Sequence, residues 1–213
     1  MDTLQKIRTI YNLVKSRVKW NEVNSLWIGN PREALKKGVG SSAEINALLI
    51  CALKEAGLNS YPVVTSLRNR GRIPITHPTI DYLNYFIVGV VVNNKHVYLD
   101  ASAKFGDLNV IPVDAMSYFA RSVHPNFFYN WIILTNLIKI NKHVNMSITY
   151  ESDGSISGDF SEYVTGQSRY IKRIEYSSAK SEQEYIEDLQ SDLNLKFKKF
   201  SISGKDCNSE STT

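Results

Sequence analysis

The chain has 213 residues, of which 43% are apolar, 22% charged and 11% aromatic, with a formal net charge of +4. That is enough apolar material for a folded core, which excludes wholesale disorder, and the length fits one large domain or an average one with a smaller companion. The longest apolar run, Tyr85 to Val92, is about half of what a bilayer span needs, so no transmembrane helix is expected.

The first predicted element is a helix. Leu4, Ile7, Tyr11, Val14 and Val18 recur at spacings of three and four, on one face. Asn30-Pro31 opens a short second helix, with Asn as N-cap and Pro at the first helical position, and Gly38 ends it. The third helix carries the clearest signature. Ser41-Ser42-Ala43-Glu44 fits a capping box, in which the Ser41 hydroxyl accepts from the Glu44 amide while the Glu44 carboxylate reaches back. Ile45, Leu48, Leu49, Ala52, Leu53 and Ala56 follow as a broad apolar stripe, and Gly57 supplies a left-handed stop.

Strands come next. Tyr61 to Thr65 is a short one; Tyr85 to Val92 and His96 to Asp100 flank the turn Asn93-Asn94-Lys95. With Asn93 and Asn94 as the loop residues, Val92 pairs with Lys95 and Ile87 with Asp100. Side chains alternate along strands, so Tyr85, Ile87, Gly89 and Val91 share a face with His96, Tyr98 and Asp100. From Trp131 the pattern changes. Val144, Met146, Ile148 and Tyr150 alternate, Asp153-Gly154 turns the chain, and Ile156, Gly158 and Phe160 return, which predicts a hairpin. A helix is expected over Glu182 to Leu193, one more strand near Phe197 to Ile202, and a disordered polar tail over 204–213. The expected organisation is a core over 1–130, a partial β-rich domain over 131–203 that is truncated or completed elsewhere, and the tail.

Several function classes drop out. Cys51 and Cys207 are too few for a disulfide scaffold or a cysteine-built zinc site, and no His or carboxylate set has metal-ligand spacing, so neither a metal nor a cofactor is expected. The GVGSS stretch lacks the lysine of a phosphate-binding loop. Residues 1–75 hold twelve Lys+Arg against five Asp+Glu, and the remainder thirteen against sixteen. The only dense basic cluster, Arg68, Arg70 and Arg72, lies in a loop with Gly71 and Pro74 and reads as solvated, so no nucleic-acid partner is expected. The N-terminus places Asp2, Lys6 and Arg8 where a signal peptide carries its apolar stretch. The chain is therefore expected to be cytoplasmic, or periplasmic or otherwise exported if cut from a longer protein.

The stretches GVGSSAEINALLICALKEAGLNSYPVV, LNYFIVGVVVNNKHVYLDAS and FGDLNVIP, spread over about residues 4–115, resemble the transglutaminase-like superfamily. Within it the chain looks most like a multidomain bacterial branch in which this core lies between β-rich domains of unknown function. The resemblance implies an α+β fold: a papain-like core of N-terminal helices packed on an antiparallel sheet, followed here by part of a β-rich domain. It also implies a triad. The family's cysteine at a helix N-terminus, activated by the helix dipole and an imidazolium, falls on Ser42; its histidine falls on Tyr85; its aspartate falls on Asp100.

Nucleophile and base have thus both departed. Serine needs a base to attack at neutral pH, and a phenol titrating near 10 is a poor one. Losing both removes the mechanism. Ser41 and Ser42 also read as helix caps, Tyr85 as a packed aromatic, and Asp100 as its hydrogen-bond partner. Cys51 points away from Ser42 and reads as a small core residue; His96 shares a face with Asp100 but lies roughly 13 Å along the strand. His77 and His124 sit in loops beside prolines. The resulting expectation is a catalytically inactive module in which Ser41, Ser42, Tyr85 and Asp100 line a degenerate cleft for a peptide, glycan or protein ligand, or one that serves architecture among the β-rich domains of a larger protein. The alternative is a surviving hydrolase or acyltransferase using Ser42 or a relocated site.

Overall fold

A computed structural model describes residues 2–77, 79–124 and 131–205. The chain forms two units, Met1–Ile138 and Lys139–Thr213.

In the first unit, helix α1 (Thr3–Arg17) is followed by a two-residue strand β1 (Lys19–Trp20), helix α2 (Pro31–Lys37), strand β2 (Val39–Gly40) and helix α3 (Ser42–Glu55). Strands β1 and β2 pair in parallel. The boundaries follow local chemistry. Asn30 accepts from the Glu33 amide with Pro31 at the first position of α2, and Gly38 closes that helix in a left-handed conformation at φ 69°. At α3 both halves of the capping box form: the Ser41 hydroxyl accepts from the Glu44 amide, and the Glu44 carboxylate accepts from the Ser41 amide.

Strands β3 (Ser60–Thr65), β4 (Tyr85–Val92), β5 (Lys95–Leu99), β6 (Phe119–Ser122) and β7 (Trp131–Ile133) make one antiparallel sheet in the order β5-β4-β3-β6-β7. Asn93 and Asn94 both take positive φ, 49° and 61°, and hold Val92 opposite Lys95 as the turn chemistry predicts. That register runs on to Val88 opposite Leu99.

Both faces of the sheet are covered, which is why Tyr85–Val92 is an almost unbroken apolar run. Val88, Val90, Val92, Val97 and Leu99 pack against Ile7, Tyr11 and Val14 of α1 and Ile45, Leu49 and Leu53 of α3. Tyr61, Val63, Tyr85, Ile87 and Tyr98 pack on the other side against Ile111, Met116, Ala120 and Leu134. Fully burying each such aliphatic side chain stabilises the fold by about 1.5–3 kcal/mol. The strand Trp131–Ile133 joins this sheet through β6, so residues that the sequence pattern groups with the second part are hydrogen-bonded into the first unit.

The second unit holds the hairpin of β8 (Ile140–Tyr150) and β9 (Ile156–Thr165), followed by α4 (Gly166–Ser178) and α5 (Glu182–Leu193). Tyr150 pairs with Ile156, Ile148 with Gly158 and Met146 with Phe160, as the alternation predicts. The predicted α5 forms with Ser181 as its N-cap. Helix α4 was not foreseen.

Two expectations fail. No strand forms over Phe197 to Ile202; Phe197 and Phe200, three apart rather than two, stack at 5.9 Å, and the Phe197 amide donates to Gln190. Cys51 is exposed rather than buried, because it shares its helix face with Lys54 and Glu55, opposite the buried Ser42; side-chain chemistry favours the core, but helical geometry decides the position. The tail lies outside the described residues from 206 onward, and Cys207 with it.

Gly89 sits where the Tyr61 ring crosses β4, and a Cβ there would lie 2.6 Å from that ring. Gly89→Ala is expected to cost about 1–3 kcal/mol of stability by overpacking, read as a lowered urea midpoint.

Candidate active site

Ser42 is the first residue of α3 and is fully buried. Its amide donates to the Val23 carbonyl, and its hydroxyl accepts from the Ser25 amide at 3.0 Å. The loop before α2 is thereby fastened across the N-terminus of α3. Glu44 extends this fastening: it accepts from the Ser41 amide and from the Asn30 amide. The Ser41 amide hydrogen bond is the largest influence holding the Glu44 carboxyl below its ordinary value of 4.5; burial opposes it, and the Asn30 amide, the Ser41 hydroxyl and Lys37 assist.

Tyr85 begins β4, and Asp100 follows the last residue of β5. The hairpin register brings them together, as the shared face predicts: the Tyr85 hydroxyl donates to Asp100 Oδ2 at 2.7 Å. Asp100 is fully buried, and three further hydrogen bonds reach its other oxygen. The Ser102 amide donates to Oδ1 at 3.0 Å, the Ser102 hydroxyl at 2.6 Å and Asn46 Nδ2 at 3.0 Å. Ser102 Oγ also lies 2.9 Å from the Tyr85 hydroxyl. Asn46 bridges further, donating to the Phe86 carbonyl and accepting from the Ala101 amide, while the Tyr11 hydroxyl donates to the Asp100 carbonyl.

Asn46 and Ser102 were missed from sequence. The signal for Asn46 was present: it is a polar residue on the buried stripe of α3, one turn after Ser42, and it too is fully buried. For Ser102 the only signal was its place two residues after Asp100.

Elsewhere on the sheet, His96 pairs through Nδ1 with the Tyr61 hydroxyl. His124 packs edge-on against the Tyr61 ring at 5.3 Å and its Nε2 lies 3.0 Å from Asn59 Oδ1. Burial pushes the Tyr61 and Tyr98 phenols up from their ordinary value. His96, which shares a strand face with Asp100, is thus engaged by Tyr61. Among the described residues, no cluster of three or more His, Cys, Asp or Glu could hold a metal ion.

The sequence model of the transglutaminase-like superfamily matches residues 1–114. No curated protein matches the chain. Among solved structures, the crystal structure of a "putative protease" from Parabacteroides distasonis is similar at 20% identity and a TM-score of 0.38. The match covers 46% of this chain and only 20% of that one.

Asn46→Ala strips a donor from Asp100 and leaves the Ala101 amide without its acceptor, and it is expected to cost about 2–4 kcal/mol in denaturant unfolding. Ser42→Ala loses one neutral hydrogen bond and should cost about 1 kcal/mol. Because the folded-state value of Glu44 is depressed, its contribution is complete above pH 4.5 and is lost as pH falls through the lower folded value. Glu44→Gln should therefore show a flatter fall in urea midpoint than wild type as pH is lowered below 4.5.

Proposed function

The chain belongs to the transglutaminase-like superfamily, and we propose that it is a catalytically inactive domain of that fold with an architectural or protein-binding role inside a larger bacterial protein. One observation carries this reading. The Asp100 carboxyl group, which in a working triad would orient an imidazole, is taken up by Tyr85, Ser102 and Asn46. The same donors that would have to be displaced to admit a base are those that compensate a buried carboxyl.

The nucleophile position supports the reading as well. Ser42 is fully buried, and its hydroxyl accepts from the Ser25 amide. Attack on a carbonyl needs an accessible oxygen, a base within hydrogen-bond reach and a site for the developing oxyanion. Tyr85 stands in the base's position and points its proton at Asp100. Ser41, Ser42, Tyr85 and Asp100 are all buried, with Ser41 the most accessible at 9%, which favours architecture over a peptide or glycan held against these side chains. Residues from Lys139 onward would then be part of a neighbouring domain of the parent protein.

The competing reading is a serine hydrolase built on Ser42. A fluorophosphonate probe separates the two: wild-type protein is expected to remain unlabelled, and labelling abolished by Ser42→Ala would sink the inactive reading. Installing Ser42→Cys together with Tyr85→His is expected to give no thiol-dependent amidase or transamidase activity, because Ser25 still covers the position.

A further inference from the structure

The segment from Arg17 to Val39 carries the densest exposed apolar and cationic surface of the first unit. Trp27 is 72% exposed, Ile28 53%, Val23 52%, Leu35 49%, Val39 46% and Trp20 40%. Large apolar side chains scattered singly need no explanation, but six within one short segment do. Arg17, Lys19, Arg32, Lys36 and Lys37 are exposed among them, against Glu22 and Glu33. The one ion pair in the segment among the described residues is Lys37 with Glu33 at 3.6 Å.

The two ends of this segment meet in space. The Lys19 amide donates to the Gly38 carbonyl, Lys19 pairs with Val39, and a Cβ on Gly38 would stand 3.5 Å from the Arg17 carbonyl. The two ends of α2 therefore join the cations at the end of α1 to the loop that bears Trp27 and Ile28. That loop is held in place: Leu26 packs against Ala43, Ala47 and Phe86, the Ser25 hydroxyl and the Trp27 backbone exchange hydrogen bonds, and the Asn30 amide donates to Glu44. Trp27 and Ile28 face water although the backbone that carries them is fixed.

We propose that this segment docks on an anionic lipid surface, with Trp27 and Ile28 entering the interface and Arg17, Lys19, Arg32 and Lys36 lying over the headgroups. Tryptophan is enriched at the membrane interface because its ring is apolar and its N–H polar, and clusters of four to eight Lys/Arg beside an apolar contact are the electrostatic partner of acidic headgroups. An acidic peptide would satisfy the cations but leave Trp27 and Ile28 in water, so the lipid surface uses more of what is exposed. The proposal does not depend on whether Ser42 is catalytic.

The test is co-sedimentation of the whole chain with phosphatidylcholine vesicles that contain or lack about 30 mol % phosphatidylglycerol. Binding to the anionic vesicles is expected, weakening as NaCl is raised from about 0.1 to 0.5 M and the charges are screened. Trp27 emission should shift to the blue in a variant with Trp20 and Trp131 changed to Phe. Trp27→Ser with Ile28→Ser, and separately Arg32→Glu with Lys36→Glu, should each weaken binding about tenfold or more while the far-ultraviolet circular dichroism is unchanged. Absence of binding at low salt, equal binding to pure phosphatidylcholine, or wild-type binding by the Trp27/Ile28 variant would overturn the proposal. So would polyglutamate binding that survives the Trp27/Ile28 change in a protein that ignores both vesicles.

Discussion

A carboxyl group with no exposure to water must be compensated by donors, and the first unit is arranged around that requirement. Asp100 is reached by Tyr85 from the start of β4, by Asn46 from the second turn of α3 and by Ser102 from the turn after β5. Tyr11 of α1 adds a bond to the carbonyl of the same residue. Two helices, a strand and a turn thus converge on one residue. Leaving a buried polar group without partners costs more than making each bond gains, so the knot favours one relative placement of these elements over its alternatives.

The same economy explains what became of the helix N-terminus. In a thiol enzyme of this fold the first turn of the helix would face substrate. Here several of its groups are occupied from within the chain: the capping box takes the Ser41 and Glu44 amides, Val23 takes the Ser42 amide, and Ser25 donates to the Ser42 hydroxyl. The loop that closes over Ser42 is also the one that turns Trp27 and Ile28 outward. Closing the site and exposing an apolar surface are two sides of one loop conformation.

Much of this was legible in the residues. The Asn-Asn turn fixes the β4–β5 register, and the register alone puts Tyr85 and Asp100 on one face. The capping box and the Asn30-Pro31 start are local signals whose partners lie within three residues, so they survive without knowledge of the fold. Asn46 was not legible in the same way. A polar residue on an apolar stripe says that a partner must exist, but that partner lies 54 positions away and only packing brings it near. Cys51 misled for the opposite reason: its type favours burial, while its angular position on α3 puts it with Lys54 and Glu55. The strand expected near Phe197 to Ile202 does not form, and the separation of three between Phe197 and Phe200 does not fit the alternation of a strand.

The sequence by itself determined the starts of α2 and α3, the register of the β4–β5 hairpin and the family, because each rests on short-range geometry or on residue identity. Only the tertiary structure decided what Ser42, Tyr85 and Asp100 bond to. That outcome depends on which distant donors reach Asp100 and which backbone amide covers Ser42, and both are set by how α1, α3 and the loop before α2 close on the sheet.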